Sequence, residues 1–153
     1  MVTTLLIFHA LVSIALIGAI THQAAGTFRT PSPPQSFVGR FAATHGAAYT
    51  NAIIVLFLLN CVLGNLVYPQ YRLDVRTTLE DLNMRSANGI FEIKEHFAVI
   101  GMFMLPAYWL YWRSPLAPET ATVRRWLTTI LAFIVWWNLI VGHILNNIKG
   151  FGQ

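Results

Sequence analysis

The chain has 153 residues, of which 56% are hydrophobic and only 10% charged, with a mean hydropathy of +0.56. Soluble domains carry about 25% charged residues, so the composition excludes a free globule in water. The net charge of +4 comes from scattered basic residues with no dense run, which argues against nucleic acid as a partner, and the single cysteine, Cys61, excludes an intrachain disulfide, a dithiol pair and a cysteine-rich metal site.

Four apolar stretches follow in chain order, residues 2–24, 42–67, 90–112 and 126–146. Each approaches the roughly 20 residues that cross about 30 Å of hydrocarbon as a helix. Backbone groups in lipid must bond internally, which leaves helices as the spanning elements. Two-residue alternation is absent, which argues against a barrel. The expected fold is all-α: an integral membrane four-helix bundle, antiparallel and up-down, with both termini on the same side, in one domain over residues 1–153.

The first stretch has no Lys or Arg before it and a longer apolar core than a signal peptide, so it reads as a true span. The connection 27–36 contains Pro31, Pro33 and Pro34 and cannot be helical throughout. Segment 68–89 is polar, with Arg72, Asp74, Arg76, Glu80, Asp81 and Arg85 interleaved with Leu73, Val75, Leu79 and Leu82. That pattern predicts a short helix on the membrane surface. The third stretch is the least apolar: Glu92, Lys94, Glu95 and His96 occupy its first turns, and Pro106 is expected to kink it. A short hairpin over 113–125 contains Pro115 and Pro118. Tyr68, Tyr71, Trp109, Tyr111, Trp112 and Trp126 stand at span ends and read as interfacial anchors.

With this topology the face holding the termini carries Arg72, Arg76, Arg85, Lys94 and Lys149, and the opposite face Arg29, Arg40, Arg113, Arg124 and Arg125. The basic residues balance, but Arg29 follows a first span with no basic residue before it, which puts the termini outside. The expected location is a bacterial inner membrane.

The five histidines fall at or near span ends. In an antiparallel bundle His22 and His45 share one layer, and His9, His96 and His143 the other. An ionisable residue in a span usually faces protein and is a functional candidate. Two imidazoles on different helices at one depth supply the axial ligands of a b-type haem. His9 and His22 are about 20 Å apart along their helix but roughly 140° apart around its axis. His96 with His143 is therefore the preferred second pair, and His9 a substitute ligand, a supporting group or a residue facing a partner subunit. Arg40, Arg72, Arg76, Arg113 and Arg124 suit haem propionates, or equally lipid headgroups. Gly64, Gly101 and Gly142 give either room for a macrocycle or close helix packing. Asn60, Asn65 and Asn138 are explained by interhelical hydrogen bonds. Trp136 and Trp137, in mid-span, would pack on a haem or in an ordinary core.

Four apolar spans with histidines at both ends resemble the four-helix di-haem membrane cytochromes b. That resemblance implies one or two haems b, with His22, His45, His96 and His143 as iron ligands. It also implies electron transfer between a quinol and a redox partner, as a subunit of a membrane complex and not a stand-alone enzyme. A quinone would then sit in an interfacial pocket where the Glu92–His96 region exchanges its protons. Two other classes compete. One is a cofactor-free accessory, anchor or assembly subunit of a respiratory or photosynthetic complex. The other is a non-haem metal enzyme using Glu92, Glu95 and His96, with His143 and His9 at the same depth. No nucleophile elbow, phosphate loop, Rossmann glycine pattern or HExxH occurs.

Overall fold

The structure, a computed structural model, describes residues 2–29, 36–113 and 116–150. Pro31, Pro33, Pro34 and Pro115 lie outside them. Among the described residues the chain is helical, with no strand. Helix α1 spans Val2–Gly26, α2 Phe37–Ala42, α3 Thr50–Gln70, α4 Arg76–Asp81, α5 Arg85–Trp112 and α6 Ala121–Gly150. The 3-10 turn Gly46–Tyr49 leads into α3, the π-helical turn Tyr71–Val75 joins α3 to α4, and the 3-10 turn Pro118–Thr120 precedes α6.

Three helical segments are long and apolar enough to cross a membrane: Val2–Gly26, Gly46–Asp81 and Pro118–Asn147. The chain is thus a membrane protein by length and composition. Helix α5 has the length, 28 residues, but lacks the apolarity. Arg85, Glu92, Lys94 and Glu95 crowd its first half, and its second half is broken up by Pro106 and aromatic residues. The second stretch begins later than its composition predicts. Ser36 caps α2 by accepting from the Gly39 N–H at 3.0 Å, α2 ends at Ala42, and the path into α3 is helical only from Gly46. Helices α3 and α5 run through Pro69 and Pro106 without interruption.

Helix α1 packs on α3 and α6, and α5 on α6 and α3. Lipid is as apolar as leucine, so close packing and hydrogen bonds hold such helices together. The core is built from Leu16, Ile20, Ile53, Phe57, Leu105 and Leu131, with Tyr108 and Trp112. It is tightest at Gly101, where an added Cβ would lie 2.6 Å from Phe57 Cζ. Polar bonds fix the register. Tyr108 donates to Gln23 Oε1, and Gln23 Nε2 donates to the Gly46 carbonyl at 2.9 Å and to Thr50 Oγ1 at 3.2 Å. Ser13 Oγ lies 2.7 Å from Asn60 Oδ1, and Trp136 donates to Thr21 at 2.9 Å. Asn60 thus bonds between helices as expected, whereas Asn138 donates to the Ile134 carbonyl of its own helix at 2.8 Å.

Trp112 is not an interfacial anchor. It is buried, donates to Thr128 Oγ1 at 2.8 Å and stacks its six-membered ring over Gly46, where a Cβ would come within 2.8 Å. A second, smaller core gathers Leu79, Ala87, Phe91, Val141 and Leu145, and folds α4 back onto α5 and α6. The reversal after α4 depends on Asn83, at φ 56°, a left-handed conformation that Asn tolerates better than most residues. Two bonds close it, Met84 N–H to Leu79 O at 2.8 Å and Asn83 N–H to Glu80 O at 2.9 Å, which is a Schellman helix end.

Candidate interfacial site

The reversal at Asn83 lays the start of α5 beside the end of α3. Between them lies a pocket of about 120 Å³, lined by Tyr68, Tyr71, Arg72, Arg76, Asn88, Phe91, Glu92 and Glu95. Its floor is aromatic. Tyr71 stacks on Phe91 with centroids 3.6 Å apart, and Tyr68 flanks both at 6.3 Å. Its rim is charged. Arg72 Nη1 lies 3.3 Å from Tyr68 Oη, and Arg76 Nε donates to Glu80 Oε1 at 2.7 Å. Arg76 and Glu80 form an ion pair. Glu92 and Glu95 line the pocket, and among the described residues neither is shown in an ion pair.

Two buried polar atoms of this lining, Tyr71 Oη and Asn88 Oδ1, have no hydrogen-bond partner. Buried polar groups are nearly always bonded, and leaving one unsatisfied costs about 1–3 kcal/mol. The lining therefore holds unused donors and acceptors of both signs. Tyr68 and Tyr71, expected from sequence at the membrane surface, also form its wall. That role was hidden because it needs the π-helical turn, which swings Tyr71 under the first turns of α5.

The predicted ligands fall in two ends. His22 packs edge-on against Phe41 and tilted against Tyr49, centroids 4.8 Å away in each case. His45 is exposed and accepts the Ala47 N–H through Nδ1 at 3.4 Å, capping its own turn. At the other end His9 lies over Gly64, with Nδ1 buried and unpartnered. Exposed His96 holds Nδ1 on the Glu92 carbonyl at 2.7 Å. Exposed His143 holds Nε2 3.0 Å from Asn147 Nδ2. None of these contacts joins one histidine to another. Among the described residues, no three His, Cys, Asp or Glu side chains form a group that could hold a metal ion. Glu92, Glu95 and His96 therefore do not gather with His9 or His143 into such a group.

The arginines also separate. Arg72 and Arg76 meet at the pocket. Arg40 is exposed on α2, and Arg113 sits 5.5 Å over the Trp109 ring. Arg124 is buried, bonding Ala117 O at 2.8 Å and Thr120 Oγ1 at 2.6 Å. The glycines read as possible room for a macrocycle adjoin side chains instead: Gly64 the His9 ring, Gly101 Phe57, and Gly142 the Lys94 stem. Trp137 packs with Phe97 and Phe133. Compared with known proteins, the chain matches no family model, no curated protein and no solved structure.

Proposed function

We propose that the chain is a four-span subunit of a bacterial cytoplasmic membrane complex that carries electrons through one b-type haem, with a quinol as donor. The observation that carries this reading is His96. A Nδ1–H donated to the Glu92 carbonyl fixes the tautomer, orients the ring and leaves the Nε2 lone pair free, which is how iron-ligating imidazoles are usually held. Its partner is His143, at the same end, once Asn147 releases the ring. When bound, haem would supply one-electron carriage, and His96 and His143 would hold it. Both histidines are exposed, so a neighbouring subunit would complete the cover over this face.

The residues at the other end do not fit a second haem in the same way. His22 would have to leave Phe41 and Tyr49, and His45 its capping bond, so the proposal narrows to one haem.

The fourth span in this reading is α5. At 1.5 Å per residue its 28 residues extend about 42 Å, and its charges all precede Phe97. Packing on α3 and α6 shelters Lys94. An odd number of spans would separate the termini, whereas four place them together, outside if Arg29 lies in the cytoplasm.

Visible spectra of the detergent-purified protein test the cofactor. The expected result is a b-type Soret and α-band on dithionite reduction, lost in His96→Ala and in His143→Ala and kept in His22→Ala. A colourless protein leaves the second reading, an accessory or assembly subunit without cofactor. The side chains that close over Gly64 and Gly101 favour that alternative.

A further inference from the structure

The pocket between the end of α3 and the start of α5 has a use that owes nothing to haem. It rests only on the membrane reading, which sets its depth. Tyr68 and Tyr71 follow the second apolar stretch directly, and Glu92 and Glu95 precede the apolar part of α5 that starts at Phe97. The pocket therefore opens at the level of lipid headgroups.

Its size and charge select the occupant. At about 120 Å³ it has room for on the order of ten water-sized groups. A pocket for a drug-sized ligand runs to about 300–1,000 Å³, so this one takes a headgroup and not a chain or macrocycle. Two guanidiniums, Arg72 and Arg76, stand beside two carboxylates, Glu92 and Glu95. Arg76 uses Nε on Glu80, which leaves its two terminal nitrogens to donate. The lining residues alone sum to no net charge, and Glu80, already paired to Arg76, adds one negative charge beside them, so a bare anion does not match and a cation is needed next to any phosphate the guanidiniums bind. Tyr71 Oη adds a donor and Asn88 Oδ1 an acceptor, both buried and unpartnered.

The geometry points to a zwitterion with a phosphate and a primary ammonium on a short link: the headgroup of a phosphatidylethanolamine lipid. The guanidiniums and the Tyr71 hydroxyl donate to phosphate oxygens. The ammonium donates to Glu92, Glu95 and Asn88 Oδ1. Each side of the pocket then has a partner, and the two orphaned atoms are satisfied. A choline headgroup cannot donate to the carboxylates, and a glycerol headgroup brings no cation to them. A quinone offers only acceptors, and a quinol, though its hydroxyls donate, carries no charge to meet the guanidiniums and carboxylates together.

The test is native mass spectrometry of the full chain, delipidated in detergent and given equal amounts of phosphatidylethanolamine, phosphatidylcholine and phosphatidylglycerol with identical chains. We expect the ethanolamine adduct to exceed the others about tenfold, the value of one charge-assisted hydrogen bond. Glu92→Gln with Glu95→Gln should erase its lead over phosphatidylglycerol. Arg72→Ala should weaken all three, and Glu119→Gln, at a distant turn, should change nothing. Monodispersity on size exclusion shows that each variant is folded, and Tyr71→Phe, which keeps the stack, supplies a milder second variant with a smaller loss of the ethanolamine adduct. Equal ethanolamine and choline adducts would overturn the proposal, as would glycerol adducts matching ethanolamine, or a preference unchanged in the pocket variants. Displacement by soluble O-phosphoethanolamine at the lipid's own concentration would overturn the lipid source. Displacement by a short-chain quinone analogue would hand the pocket to the quinol.

Discussion

Tyr71 lies flat on Phe91, its ring 9° from parallel and its centroid 3.6 Å away, while its hydroxyl is buried with no partner. The stack and the hydroxyl make separate contributions. Tyr71→Phe keeps the stack and removes a buried unsatisfied donor, so in lipid-free detergent it should be neutral or stabilising by about 1 kcal/mol. Tyr71→Leu removes the aromatic pair, worth about 0.5–1.5 kcal/mol beyond area burial, and should lower the unfolding temperature. Thermal unfolding followed by tryptophan fluorescence separates the two. An equal fall in both variants would show that the hydroxyl is bonded after all.

Gly101 sets the closest approach of three helices. A methyl there would meet Phe57 Cζ at 2.6 Å, Phe57 Cε2 at 3.1 Å and Ile134 Cγ2 at 3.2 Å. Phe57 is buried in the main core, so its ring yields only by displacing packed neighbours. Gly101→Ala should therefore destabilise by about 1–3 kcal/mol, and Phe57→Leu in the same chain should restore part of it. Gly89→Ala is the control. Nothing lies within 4 Å of its added Cβ, and alanine favours a helix interior by up to about 1 kcal/mol. Unfolding of the three variants beside the parent in one detergent makes the comparison; a harmless Gly101→Ala would mean that α5 is not seated on α3 as described.

What the sequence made legible follows from where its signals live. Apolar length is local, so α1, the body of α3 and α6 could be placed from composition. Asn60 was read as an interhelical bond because a lone amide in a span has few other partners, and Ser13 proved to be that partner. Trp112 was misread because indole at a span end has two homes, and only the space over Gly46 and the Thr128 hydroxyl, both distant in sequence, decide between them. The pocket was half legible. Arg72 and Arg76 were marked for their guanidiniums and the Glu92–His96 region for its protons. Their meeting depends on a π-helical turn and on Asn83, neither of which has a periodic signature. Asn83 itself is a visible helix-end residue in the run Asp81-Leu82-Asn83.

Gln23 has no exposed surface and ties three elements through one amide. It accepts from Tyr108 and donates to the Gly46 carbonyl and to Thr50. Gln23→Leu fills similar space but leaves the Tyr108 hydroxyl and the Gly46 carbonyl short of a partner. The expected loss is about 1–3 kcal/mol. Tyr108→Phe alone should cost less, since it orphans only the Gln23 oxygen, and in the double variant the two losses should fall short of their sum. Additive losses in denaturant unfolding would show that the two side chains do not interact.

The number of spans has its own consequence for labelling. Asp81, at the end of α4, and Glu119, in the turn before α6, flank α5 on either side. If α5 crosses the bilayer they lie on opposite faces; if only the three apolar segments cross, they share one. Cys61 is the sole cysteine, so Cys61→Ser gives a background free of thiols in which Asp81→Cys and Glu119→Cys can be compared. With the termini outside, a membrane-impermeant maleimide should label Asp81→Cys in intact cells and reach Glu119→Cys only after the membrane is opened. Labelling of both before lysis would remove α5 from the spans and with it the four-helix arrangement. The reverse pattern would keep four spans and turn the whole molecule over, placing the pocket, His96 and His143 at the cytoplasmic face.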